Sequence, residues 1–151
     1  MTAPTDAPSA VTRMIDVGVE DFLIAAVLEG IVAQRLVRRI CADCKEFYDP
    51  NQEHLMELNL KWEDVEGKQF ARGAGCTACN YTGFKGRMAI FEIMTVSDRI
   101  RQMIMDKSST AELRKQARRE GMRSLREAGV LGILDAKTTR EEVLRETLMA
   151  E

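Results

Sequence analysis

Apolar positions along the chain fall into two periods, and each predicts a different kind of element. Across "TDAPSAVTRMIDVG", Val11, Met14 and Ile15 recur at the spacing of one helix face; Asp6 stands where a cap belongs, Pro8 suits a first turn and Gly18 a stop. "VEDFLIAAVLE" predicts a second helix whose wide apolar stripe is Phe22, Leu23, Ala26 and Val27. After Gly30 the period shortens. In "GIVAQRLVRRI", Ile31, Ala33, Arg35 and Val37 oppose Val32, Gln34, Leu36 and Arg38, with many β-branched residues, which predicts a strand.

Residues 44–75 are the least regular. They predict a short helix capped near Asn51 in "PNQEHLMELNL" and a strand with a glycine-rich turn in "VEGKQFARGAG". "FKGRMAIFEIMTV" predicts another strand, with Ile90, Phe91 and Ile93 in its core. The final third reads as helical. "SDRIRQMIMD" starts at a Ser97 cap, and "TAELRKQARREG" starts at Thr110, whose partner Leu113 completes no capping box, and stops at Gly121. "SLREAGVLGILDA" is weakened by Gly129 and Gly132. "TTREEVLRETLMA" has a Thr139–Glu142 capping box and one face of Val143, Leu144, Thr147 and Leu148. This mixture of helices and strands predicts an α/β (α+β) class.

Composition narrows the setting. At 151 residues the chain is one domain, or a small domain plus pieces of another. A net charge of -2 gives no general drive toward nucleic acid or anionic membrane. Met1 to Ser9 has neither the basic start nor the apolar run of a signal peptide; "FLIAAVLEGIVA" is broken by Glu29 and Gly30 and is too short to span a bilayer. A cytoplasmic setting without membrane insertion is the expectation. There, paired CxxC motifs hold metal more often than they form disulfides.

All four cysteines lie in two such pairs, Cys41 with Cys44 and Cys76 with Cys79. Two knuckles can give four thiolates to one tetrahedral ion, and Gly75 and Thr82-Gly83 let the backbone turn closely around it. The pattern points to zinc ahead of a rubredoxin-like iron site, and ahead of disulfides or free thiols. A site of four sulfurs has no open position, so the ion is expected to be structural. His54, the one histidine, is a fifth ligand candidate, but beside Glu53 in a short helix it reads as a solvated surface residue.

A longer stretch, "DAPSAVTRMIDVGVEDFLIAAVLEGIVAQRLVRRICADCK", followed by "GCTACNYTGFKGRMAIFEIM" and "EGMRSLREAGVLGILDAKTTREEVLRET", resembles the C-terminal part of the type II secretion and type IV pilus assembly ATPases. These are hexameric motors of the secretion ATPase superfamily. The resemblance covers nearly the whole chain. It implies the tail of a RecA-like ATPase domain over residues 1–40, a tetracysteine zinc module over 41–84, and a strand plus C-terminal helical segment over 85–151. It also implies a cytoplasmic motor that powers secretion or pilus assembly. Its partners would be other subunits of a homo-hexamer, an inner-membrane platform protein and further secretion or pilus components, with the chain peripheral to that membrane.

The family binds ATP and magnesium through a GxxxxGK[ST] loop, a Walker B acid and upstream boxes. That loop occurs nowhere here, and "TAPT" stands where the family has His-Thr-Asn, so no turnover is expected from this chain alone. The resemblance leaves open whether the chain is a piece of a longer polypeptide or a relative whose core another chain supplies. Arg35 is the candidate for contacting a nucleotide phosphate or a subunit interface, ahead of Arg38 and Arg39; the plainer reading is a solvated basic strand end. Arg87 and Glu92 are candidates for docking the module onto a partner. Val11, Phe22 and Leu23 would leave an apolar patch without the rest of the motor. The competing class is a small zinc-ribbon module binding nucleic acid or protein, but "RKQARRE" is flanked by acids and reads as a solvated helix face.

Overall fold

The computed structural model describes residues 6–148; the "TAPT" stretch lies outside them. In chain order the elements are α1 (Ala7–Asp16), α2 (Asp21–Val27), β1 (Gly30–Ile40), β2 (Lys45–Tyr48), α3 (Gln52–Glu57), β3 (Phe70–Gly73), β4 (Phe84–Thr95), α4 (Asp98–Met105), α5 (Thr110–Arg119), α6 (Leu125–Leu134) and α7 (Arg140–Thr147). Single 3-10 turns stand at Trp62–Val65 and Thr77–Cys79. This is the mixed α/β class that the pattern predicts. The chain forms two compact units interleaved in sequence, one from residues up to 34 with 91–125, the other from 35–90 with 126 onward. Strands β1 and β4 pair with each other and run through both. Glu29 O accepts from Val96 N at 3.0 Å and Gly83 O from Cys41 N at 2.9 Å, so the two strands run in opposite directions.

In the first unit, α1 begins as its sequence predicts: the Asp6 side chain accepts from Ser9 N at 3.1 Å, and Gly18 leaves the helix at a φ of +102°. Val11 is buried with Ile24, Ala25, Met94, Ile100, Ile104, Leu113 and Ala117 in one core, so it leaves no open patch. Helix α2 turns a different face inward from the one expected. Ile24 and Ala25 are buried, while Phe22 and Leu23 are 49% and 47% exposed. Every residue from Phe22 to Val27 is apolar, so no polar stripe marks the outer face and packing alone chooses it. Arg101 then closes the helix, donating from Nη1 to Ala25 O at 2.6 Å and to Leu28 O at 2.8 Å. Helix α5 is capped by Ser109 rather than Thr110; moving the start by one residue puts Glu112 at the third position, where it completes the capping box.

Strand β4 corrects two further expectations. Its inward face is Ile90, Glu92 and Met94, so Phe91 (46% exposed) and Ile93 (56%) lie outside the core. Glu92 is buried at 2% exposure, which removes it as a docking residue. Its Oε1 accepts from Ala7 N at 2.8 Å and its Oε2 from Leu125 N at 3.1 Å. These are the first N–H groups of α1 and α6, donors that a helix cannot satisfy itself. Burial pushes the Glu92 carboxyl above its ordinary range; the two N–H groups oppose this, Asp6 adds to it, and Arg114 opposes it.

In the second unit, β2 pairs antiparallel with β3, Tyr48 opposite Phe70 and Lys45 opposite Gly73. Asn51 caps α3, and His54 Nδ1 accepts from Asn51 N at 3.3 Å while its ring stacks on Phe70 with centroids 6.5 Å apart. His54 is thus a half-buried capping residue and not a solvated one. Leu55, Leu58, Val65, Phe70, Val130, Ile133 and Val143 form this unit's core. A Cβ on Gly129 would fall 2.5 Å from Val143 Cγ1, so the glycine that weakens α6 is what lets α7 approach. Thr139 caps α7, but Glu142 does not complete the expected box. Its buried carboxylate turns to Arg38 instead, accepting from Nε at 2.9 Å and Nη2 at 2.7 Å. Burial alone would raise Glu142, but the bonds from Arg38 hold it below the usual carboxylate range. No helix among the described residues is long and apolar enough to cross a membrane.

Glu92→Ala strands two buried N–H groups and should cost about 2–4 kcal/mol, read as a lower urea midpoint; an unchanged midpoint contradicts this account of Glu92. The two buried glutamates also give opposite pH signs. Glu92, raised when folded, contributes most when protonated, and its contribution declines as pH rises through its folded value. Glu142, lowered when folded, contributes above its ordinary value of 4.5 and loses that as pH falls through its folded value. On acidification below about pH 4.5, amide protection in α7 should therefore fail before that at Ala7 and Leu125; the reverse order in hydrogen exchange refutes this assignment.

Candidate metal centre

The first knuckle sits between the end of β1 and the start of β2, and the second lies within the turn that joins β3 to β4. Pairing of β2 with β3 brings them together: Ala74 N donates to Cys44 O at 3.0 Å just past the Lys45–Gly73 pair. Gly83 makes the second join. A Cβ on Gly83 would lie 2.5 Å from Gly73 O, and one on Gly73 would lie 2.1 Å from Gly83 O, so only two glycines allow this crossing. Between them, Asn80 (φ +54°) and Tyr81 (φ +61°) take left-handed conformations that wrap the chain behind Cys79. Tyr81 N closes the loop on Cys76 O at 2.8 Å, and Thr82 Oγ1 donates to Cys79 O at 2.7 Å.

The four sulfurs lie within 4.8 Å of one another, and the pairs Cys41–Cys76, Cys44–Cys79 and Cys76–Cys79 are each 3.8 Å apart. A disulfide needs about 2.05 Å, so this is not a pair of bridges. The edge of a tetrahedron with metal–sulfur bonds of about 2.3 Å is about 3.8 Å, so the donor set fits a single four-coordinate ion. Backbone N–H groups face the sulfurs as they would face thiolates. Gly75 N donates to Cys44 Sγ at 3.3 Å, Cys76 N to Cys79 Sγ at 3.3 Å, and Gly83 N to Cys79 Sγ at 3.2 Å.

Electrostatics separates the thiols. Burial pushes Cys44 up to about 12, opposed by Gly75 N–H and reinforced by the other three thiols. Burial acts the same way on Cys79, but the N–H groups of Cys76 and Gly83 and the neighbouring thiols outweigh it and bring it down to about 6. A cation held by these sulfurs would bind them as thiolates, so its binding would release protons from the site.

Of the other sequence candidates, none joins this cluster. His54 is committed to its cap. Arg35 is half-buried on β1, and its side chain makes no hydrogen bond or ion pair with any described residue; Arg39 and Arg87 are exposed. Arg38 is the exception in kind, because its guanidinium is bound to Glu142 and lies 4.1 Å from the Phe84 ring centroid. Sequence reasoning missed Gly73 and Glu142 in this region. Gly73 carried a signal, a second glycine two residues before Gly75; Glu142 read only as half of a capping box with Thr139.

The model of the family described as type II/IV secretion system protein matches residues 4–145. The chain belongs to that family. Among curated relatives, it is 45% identical over 143 residues to the type IV pilus assembly ATPase PilB of Thermus thermophilus, covering 95% of this chain and 16% of that protein. It is 39% identical to the type IV pilus assembly ATPase TfpB of Acinetobacter baylyi, covering 93% and 24%. It is 42% identical to the type II secretion system protein HxcR of Pseudomonas aeruginosa, covering 94% and 26%. The chain thus spans about a quarter or less of the length of these relatives.

Gly83→Ala should force the two segments apart and cost well over the roughly 1 kcal/mol of a left-handed alanine. Gly67→Ala is the control, because Gly67 has a φ of +72° but nothing within 4 Å of the added Cβ. Equal urea midpoints for the two variants would show that the Gly73–Gly83 crossing is not a constraint.

Proposed function

We propose that this chain is the zinc-bearing C-terminal region of a motor ATPase that powers type II protein secretion or type IV pilus assembly. The observation that carries the reading is the cluster of four cysteine sulfurs in a chain of this family. Cys41, Cys44, Cys76 and Cys79 hold the ion, which supplies a cross-link with no open position for chemistry. The protein works in the cytoplasm as one subunit of a homo-hexamer, peripheral to the inner membrane. ATP and magnesium are handled by parts that the longer relatives have and this sequence does not match, so this chain turns over no nucleotide by itself. Its task is mechanical: a module stapled by metal passes a change of angle to the platform protein and other components without deforming. Arg35, whose side chain has no hydrogen-bond or ion-pair partner among the described residues, is the residue placed to meet a phosphate or a neighbouring subunit. A zinc-ribbon module that binds nucleic acid is the alternative, and salt-sensitive DNA binding by the purified chain would favour it.

Purified chain should contain about one zinc, show no ATPase activity, and acidify a weak buffer when zinc is added to its metal-free form, since thiols that bind as thiolates release their protons. Cys76→Ser should abolish zinc retention and expose residues 41–83 to protease while α4 and α5 stay protected. Protease resistance that is unchanged by chelation, in chain shown to be metal-free, overturns the reading.

A further inference from the structure

We infer that Arg38 is a positioning residue for the metal centre: it ties α7 to both cysteine knuckles, so that loading the site and seating α7 are coupled. This rests on the metal-binding reading above. Arg38 lies on β1 three residues before Cys41. Its backbone N donates to Glu142 Oε2 at 2.9 Å, and its Nε and Nη2 donate to Oε1 at 2.9 and 2.7 Å. Its carbonyl accepts from Thr138 Oγ1 at 2.8 Å, and Ile40 N donates to Lys137 O at 3.0 Å. The strand that enters the first knuckle is therefore fastened, just before Cys41, to the loop and first turn of α7.

The same guanidinium reaches the second knuckle. Its central carbon lies over the Phe84 ring, 4.1 Å from the ring centroid. Phe84 follows Gly83, whose N–H donates to Cys79 Sγ and whose carbonyl accepts from Cys41 N. One planar cation thus grips a buried carboxylate with its fork and an aromatic ring with its face. Lysine offers neither the fork nor the plane. Glu142 has one other cation, Arg145, on its own helix and more than half exposed, which cannot hold α7 to the knuckles. If α7 leaves, the cysteine-bearing segments lose their shared brace, and if the sulfurs spread, Arg38 and Phe84 separate. Coupling of this kind is reciprocal.

The test uses the whole chain, with Co²⁺ and Zn²⁺ as probes. Arg38→Lys and Glu142→Gln should each weaken Co²⁺ binding about 10- to 100-fold in chelator competition, while Arg87→Lys, at an exposed site on β4, leaves it unchanged. In the wild type, Zn²⁺ should slow hydrogen exchange at residues 140–147, and both variants should lose most of that slowing. A purely structural role would lower the melting temperature of the metal-free chain yet leave Co²⁺ affinity and its thiolate absorption unchanged, and that result overturns the inference. So does a wild-type α7 whose exchange ignores Zn²⁺. If Arg38→Lys fails to fold, Glu142→Gln decides alone, since it keeps the size of the side chain. A wild-type chain that binds neither ion refutes the metal reading itself, an outcome separate from wild type and variants binding alike.

Discussion

Four thiols can share one small volume as anions only if a cation shares it with them, and the second unit gathers four cysteine sulfurs into such a volume. The sulfurs stand within 4.8 Å of one another, too far apart for disulfides and spaced for a single ion. The opposite shifts of Cys79 and Cys44 follow from how many backbone N–H groups face each sulfur. Cys79 Sγ has two backbone N–H donors and Cys44 Sγ has one, which lowers the first thiol and leaves burial to raise the second. Backbone geometry serves the same end. The left-handed Asn80 and Tyr81 and the Gly73–Gly83 crossing bring the chain around Cys79 at the cost of strain and tight contact.

The two buried glutamates show how environment rather than residue type sets behaviour. Glu92 and Glu142 are equally hidden from water, yet one carboxyl is raised and the other lowered. Glu92 meets two peptide N–H groups, partial charges that only partly offset its lost hydration. Glu142 meets a full guanidinium in a two-pronged contact, which more than offsets it. Both join segments remote in sequence: Glu92 bonds to residues 85 and 33 positions away, and Glu142 to one 104 positions away. Each therefore acts as a tie between elements that the apolar cores alone do not orient.

That contrast also explains what the sequence made legible. Elements marked by local chemistry were readable: the Asp6 and Ser97 caps, the period-two run of β1, the Gly18 and Gly121 stops, and the paired cysteines whose sulfurs do meet. Elements decided by distant partners were not. Strand β2 is four residues long with two charged ones, and only β3 across from it makes it a strand. The face of α2 was unreadable because the run from Phe22 to Val27 is apolar on every side. Glu142 looked like half of a local capping box, and a cation 104 residues away outcompeted the local N–H. Glu92 looked like a surface charge between Phe91 and Ile93, when the alternation of the strand ran the other way.

The placement of the cysteines follows from where the apolar core ends. The second unit's core is built by α3, the Trp62–Val65 turn, β3, α6 and α7, and it stops at Phe70 and Ala71. From Arg72 to Phe84 the only buried side chain is Cys79. Thirteen residues with so little apolar surface cannot offset the entropy of ordering them, which is about 1–2 kcal/mol per residue for the backbone alone. Hydrogen bonds among Cys76, Cys79, Tyr81 and Thr82 give the segment a shape, but each contributes little net stability in contact with water. A coordinated ion differs in kind, because it joins four points at once and binds the folded form alone. Four sulfurs within 4.8 Å of one another are the donor set such an ion would need.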